Sequence, residues 1–123
     1  MQVALRVAVL GASDKPDRYA YMAVERLLKA GHTVFPVSPT VKTVQGLAVL
    51  PSLADLPPPI DTLSLYVNPK VSAQMADQIL ALAPRRILFN PGTENPALMQ
   101  RARAQGIDAI EACTLVLLST GQF

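Results

Sequence analysis

VAVLGASDKPDRYAY, residues 7 to 21, decides the fold. Four apolar residues run into Gly11 and a small polar turn, and a helical pattern follows soon after. This is how a strand, turn and helix of a nucleotide-binding unit begin. A dinucleotide fingerprint would read G-x-G-x-x-G, with glycines that let a pyrophosphate approach the backbone and the helix pack closely on the strand. Only Gly11 is kept here, and Ala12 to Arg18 form a longer loop with two cations, Lys15 and Arg18. Either the ligand differs from NAD or the loop is only a turn.

Outward from this stretch, apolar runs recur at "RVAVLG" (6–11), "TVFPVS" (33–38), "TLSLYV" (62–67) and "RILFN" (86–90), with a weaker fifth at "DAIEA" (108–112). Short continuous apolar runs read as strands buried on both faces. Between them, Ala20, Val24, Leu27 and Leu28 share one helical face, and Val71, Met75, Ile79 and Leu82 share another. Gly31 and Gly106 are stop signals, and the pairs Asn68-Pro69 and Asn95-Pro96 supply an N-cap followed by proline at the first helical position. The alternation implies an α/β fold: one doubly wound, Rossmann-like, mostly parallel sheet of about five strands with helices on both faces. Residues 40–60 interrupt it. There Leu47 to Leu50 are expected to add a brief strand, Ser52 to cap one short helical turn, and "LPPP" (56–59) to act as a stiff connector.

The chain has 123 residues, half of them apolar and 16% charged, which fits one domain over 1–123 with a single substantial core. No apolar run is long enough to cross a bilayer. The opening MQVALRVAVL leads directly into the glycine turn and lacks a small-residue cleavage site, so it is read as strand one rather than a signal peptide, and a cytoplasmic location is expected. Cys113 is the only cysteine, which excludes an internal disulfide and leaves no Cys/His cluster of metal-ligand spacing. A net charge of +2, with its cations scattered, does not point to nucleic acid.

In such folds ligands bind outside the carboxyl ends of the strands, near the switch point. Those ends are Gly11–Arg18, Ser38–Lys42, Tyr66–Pro69 and Asn90–Asn95. Backbone N–H groups at a helix N-terminus attract anions, and Lys15 and Arg18 add charge, although each also reads as a solvated surface residue. NAD recognition places an acid at the end of the second strand. Here that position is Ser38-Pro39, which disfavours NAD and leaves CoA or NADP, with Lys42 suited to either extra phosphate. His32 directly follows the Gly31 stop and is expected at the amino end of the sheet, remote from chemistry. Glu94 precedes the Asn95 cap and reads as favouring the helix dipole. Cys113 is expected to be a buried structural thiol.

Taken in order, "VAVLGASDKPDRYAY", "GHTVFPVSPTVKTVQGLAVLPSLADLP", "LYVNP", "FNPGTENP" and "EACTLVLLSTGQF" resemble the CoA-binding domain family, that is, the small stand-alone bacterial CoA-binding proteins and the N-terminal domain of the succinyl-CoA synthetase alpha subunit. The likeness spans nearly the whole chain. It implies a non-catalytic protein that binds coenzyme A or an acyl-CoA. The resemblance puts the CoA phosphates on Gly11, Ala12 and Ser13, helped by Lys15 and Arg18. Val37, Ser38 and Pro39 would flank the adenosine, with Lys42 reaching a phosphate. Tyr66, Val67 and Asn68 match the segment that lies along the ligand, and Pro91, Gly92 and Glu94 match the turn beyond it. The chain departs from the pattern where stand-alone members often carry a Trp and a Gln, in the stretch matching "LFNPG". The synthetase's phosphate-carrying histidine belongs to a domain with no counterpart here, which removes the ligase reaction. Two other functions stand beside CoA binding. One is an NADP-dependent oxidoreductase with Tyr66 as proton donor, and the other is an interaction module that has lost its ligand. From its charge and hydropathy no nucleic-acid or membrane partner is expected, and a protein partner is left open.

Overall fold

In a computed structural model, residues 3–123 are described; Met1 and Gln2, which open the stretch read as strand one, lie outside them. Five parallel strands form the main sheet: β1 (Arg6–Leu10), β2 (Thr33–Val37), β5 (Thr62–Leu65), β6 (Arg86–Phe89) and β7 (Asp108–Glu111), in the order β2-β1-β5-β6-β7. The helices are α1 (Tyr19–Lys29), α2 (Pro69–Gln74), α3 (Ala76–Leu82), α4 (Pro96–Ala104) and α5 (Thr114–Ser119). A small antiparallel hairpin, β3 (Thr43–Val44) and β4 (Leu47–Ala48), and a single 3-10 turn, Leu53–Asp55, fill the irregular stretch.

The central strands β1, β5 and β6 are buried on both faces, so their sequences read as apolar runs instead of alternating. Ala8 and Leu10 of β1 face one layer, with Leu63, Leu65, Ile87 and Phe89 packed against Ile79 of α3 and Leu98 and Ala102 of α4. Val7 and Val9 face the other, against Ala20, Val24 and Leu27 of α1. Pro36 sits within β2, which is tolerated because β2 is an edge strand and a proline there removes no central ladder bond. The helix starts follow the sequence: the Asn68 side chain accepts from the Val71 N–H at 2.9 Å, and that of Asn95 from the Leu98 N–H at 3.1 Å.

Two details depart from the sequence expectation. The second helical face is divided between α2 and α3 at Met75 (φ −99°, ψ 5°). The buried Ser72 hydroxyl donates back to the Pro69 carbonyl at 3.2 Å, and the Met75 N–H is shared between the carbonyls of Val71 and Ser72, which tightens the turn locally. The brief strand near Leu47 pairs with Thr43–Val44 around Gln45 and Gly46, whose φ values of 52° and 77° are those of a tight hairpin turn. Leu50 then bridges back to Val37, fixing the hairpin beside the main sheet.

Candidate functional site

From β1 the chain passes to β2 on one side and later to β5 on the other, so the sheet order switches at β1. A crevice at this switch point is the expected ligand position. Gly11 stands there with φ +88°, and a Cβ on it would lie 2.9 Å from the Tyr66 carbonyl oxygen and 3.0 Å from Val67 Cγ1. The glycine is therefore required by the crossing of two backbones. The N–H groups of Gly11 and Ala12 both donate to the Val37 carbonyl, at 3.0 and 3.1 Å. This corrects the expectation that they are free to hold a phosphate: they lock the loop to β2.

The open donors lie further along. The Ser13 hydroxyl accepts from the Lys15 N–H at 3.1 Å, and the Arg18 N–H donates to the Lys15 carbonyl at 3.0 Å. Helix α1 starts with neither a capping side chain nor an acid in its first turn, and its first bond is from Met22 N–H to the Arg18 carbonyl. Among the described residues nothing accepts from the N–H groups of Ser13, Asp14, Tyr19, Ala20 or Tyr21. These groups and the helix dipole leave positive potential at one end of the loop.

A cleft of about 720 Å³ opens over this point. The first loop and helix start contribute Gly11, Ala12, Ser13, Asp14, Lys15, Arg18, Tyr19 and Ala20; the β2 exit contributes Ser38 and residues 40 to 43; Tyr66 closes it from β5. Lys15, Arg18 and Lys42 are exposed, and among the described residues no carboxylate pairs with them. The ion pairs lie elsewhere, Arg85 with Asp61 at 2.7 Å and Arg101 with Asp77 at 2.9 Å. Ser38 is buried, and its hydroxyl accepts from the N–H groups of Thr40 and Val41, both at 3.3 Å, so it shapes the second loop.

The cleft thus gathers Gly11, Ala12, Ser13, Lys15, Arg18, Ser38, Lys42 and Tyr66 of the residues expected from the sequence, and does not include Val37, Pro39, Val67, Asn68, Pro91, Gly92 or Glu94. Val37 is a core residue whose carbonyl holds the first loop. Val67 packs against the core, and Asn68 caps α2. The Glu94 carboxylate accepts from the Gly92 N–H, at 2.9 and 3.2 Å, closing its own turn. Pro39 and Pro91 are exposed. Not chosen individually from the sequence were Asp14, Thr40 and Val41, which lie within the strand ends named there, and Tyr19, Ala20 and Thr43, which lie just beyond those ends.

It also missed a buried polar network beside the cleft. The Asn90 amide donates to the Ser64 hydroxyl at 3.0 Å and the Leu65 carbonyl at 2.8 Å, and its oxygen accepts from the Thr114 N–H at 2.8 Å. The Ser64 and Thr114 hydroxyls bond each other at 2.8 Å. These bonds tie β5, β6 and the start of α5 together. The Tyr66 hydroxyl is buried beside them without a hydrogen-bond partner among the described residues. Burial, only partly offset by the Thr114 and Ser64 hydroxyls, pushes its pKa up to about 12.

His32 lies just before β2, at the amino end of the sheet as expected, where its Nδ1 accepts from the Leu5 N–H at 3.0 Å. Burial, and then the positive charge of Arg86, lowers its pKa below the usual imidazole value. Cys113 is half-buried at the start of α5, more exposed than the buried thiol the sequence led us to expect. Among the described residues no cluster of three or more His, Cys, Asp or Glu side chains is placed to hold a metal ion, and no helix is long and apolar enough to cross a membrane.

Comparison with known proteins agrees with this architecture. The uncharacterized protein YneT of Bacillus subtilis (strain 168) is 27% identical over 106 residues, covering 86% of this chain and 78% of YneT. A crystal structure of an uncharacterized protein superposes with a TM-score of 0.91 at 37% identity, covering 99% of this chain and all of the other. A hypothetical protein from Pyrococcus horikoshii OT3 gives a TM-score of 0.88 at 28% identity, over 95% of this chain and 83% of its own. The model of the CoA binding domain matches residues 5–119, the whole sheet and all its helices, and the chain belongs to that family.

Proposed function

We propose that the protein binds coenzyme A or an acyl-CoA in the cleft at the β1 and β2 ends, and that it does so without catalysing a reaction. The observation that carries this reading is the concentration, in one crevice of a CoA binding domain family member, of N–H donors and cations that have no partner among the described residues. The pyrophosphate is assigned to the N–H groups of Ser13, Asp14 and the first turn of α1, with Lys15 and Arg18 supplying charge. Lys42, flanked by the hydroxyls of Thr40 and Thr43, is assigned to the ribose phosphate. The pantetheine arm then runs past Tyr66, Val67 and Asn68 toward the turn at Pro91, Gly92 and Glu94. An NAD ribose finds no acid at the β2 exit, because Ser38 occupies that position and its hydroxyl is already engaged.

The same geometry supports the non-catalytic part of the reading. The Tyr66 hydroxyl, the proton donor a reductase would need, is buried, and that burial pushes its pKa up to about 12. His32 is at the opposite end of the sheet. A small anionic ligand and a cytoplasmic setting suit the single cysteine and the low net charge of +2 better than a nucleic-acid or membrane partner. Calorimetry on ligand-free protein tests the reading: CoA binds and raises the melting temperature by mass action, and NAD at equal concentration does so far less. Tight NAD binding with none of CoA overturns it, and NADPH oxidation abolished by Tyr66→Phe overturns the non-catalytic part.

A further inference from the structure

Tyr19 is 69% exposed, yet it lines the cleft. The fold makes no visible use of its ring: among the described residues the aromatic and cation contacts involve His32, Phe35 and Phe123, with Arg6 and Arg86 as the cations. As the first residue of α1 it stands beside the open N–H groups assigned to the pyrophosphate, and the cleft wall contributed by the second loop includes the half-buried Val41. Tyr66, the other aromatic residue of the cleft, has its hydroxyl buried in the protein. A nucleotide whose phosphates sit at the helix start has its base within reach of a side chain at that start.

We propose that Tyr19 is the specificity residue for the aromatic base of the ligand, its ring stacking on one face of the adenine while Val41 covers the other. The inference rests on the CoA reading and adds to it. The cleft recognises the nucleotide end of CoA by the presence of an aromatic face, and ligands that carry phosphate without a base are held by charge alone. Stacking reads no base edge, so it selects for a base without choosing among bases.

The chain has three tyrosines and no tryptophan, so its intrinsic emission is a direct probe. The experiment titrates CoA and 4′-phosphopantetheine into the parent, Tyr19→Phe and Tyr19→Leu proteins, following emission and calorimetric affinity. CoA quenches part of the parent's tyrosine emission, and Tyr19→Leu loses that component together with about five-fold or more of its CoA affinity. Tyr19→Phe binds CoA as the parent does, and phosphopantetheine affinity is the same in all three. A Tyr19→Leu protein that binds CoA as tightly as the parent overturns the stacking role alone. A parent that binds no CoA overturns the CoA reading and the stacking with it.

Discussion

The two halves of the sheet's carboxyl edge are built from similar polar residues used in opposite ways. On the side of β5, β6 and β7, polar groups bond one another: Asn90 with Ser64, Leu65 and Thr114, Glu94 with Gly92, Asn95 with Ser72 and Leu98, and Asn68 with Val71. On the side of β1 and β2, Gly11 and Ala12 tie the first loop to β2 and Ser38 shapes the second, while among the described residues the N–H groups of Ser13, Asp14 and the first turn of α1 and the side chains of Lys15, Arg18 and Lys42 have no partner. An edge whose groups are occupied stabilises the fold, and an edge whose groups are open is available to a ligand. Serine and threonine occur on both sides, so those residue types alone do not separate the two. Bond partners separate them.

The comparison makes opposite demands on mutants of the two sides. The largest loss of stability is expected at Asn90, which is 1% exposed. Asn90→Ala leaves the Ser64 hydroxyl, the Leu65 carbonyl and the Thr114 N–H short of a partner in the interior, at a cost of about 3 kcal/mol or more in urea denaturation. Gly11→Ala comes next, at about 2–3 kcal/mol, since it combines a left-handed backbone with a Cβ pressed on the Tyr66 carbonyl. That loss identifies Gly11 as an anchor of the site's frame, and makes it a poor probe of phosphate contact.

On the open side the order reverses. Lys15→Ala, Arg18→Ala and Lys42→Ala remove exposed cations that pair with no carboxylate among the described residues, so the urea midpoint should stay within experimental error while CoA affinity falls about ten-fold for each that makes a charge-assisted contact. A cation acting only at long range loses its effect at high salt. Stability losses at Lys42 comparable to those at Asn90 would erase the distinction between the two sides.

The smallest effect is expected at the amino end of the sheet. His32 accepts a backbone hydrogen bond in its neutral form, and its folded pKa lies below the unfolded value of 6.5. Below about pH 6.5 the unfolded chain takes up a proton that the folded chain resists, so stability falls as pH drops through that range and is fully present above it. The urea midpoint should therefore decline from pH 7.5 to 5.5 in the parent and change less in His32→Gln. A midpoint that rises on acidification contradicts the assignment.

Much of the fold was legible because its signals are local. Five apolar runs became the five strands, and Asn68, Asn95, Gly31 and Gly106 marked helix ends within a residue or two. The split at Met75 escaped because it depends on Ser72 bonding its own turn, and the hairpin partner of Leu47–Ala48 escaped because Gln45 is not a residue that announces a left-handed turn. At the site, the loop cations were visible, but the role of Gly11 was not, since what crowds it is Tyr66, far along the chain. The Ser64, Asn90 and Thr114 network was invisible for the same reason: its members are separated by 24 to 50 positions and meet only once the sheet is assembled.

The most direct test of the account is a backbone amide NMR titration of the ligand-free protein with CoA. The account predicts saturable shifts concentrated at Ser13, Asp14, Tyr19 to Tyr21 and residues 40 to 43, with the amides of Gly11 and Ala12 keeping their hydrogen bonds to Val37 and Thr114 keeping its bond to Asn90. Saturable shifts centred on Thr114 and the Asn90 network, with the start of α1 unmoved, would contradict it, as would a spectrum that CoA leaves unchanged.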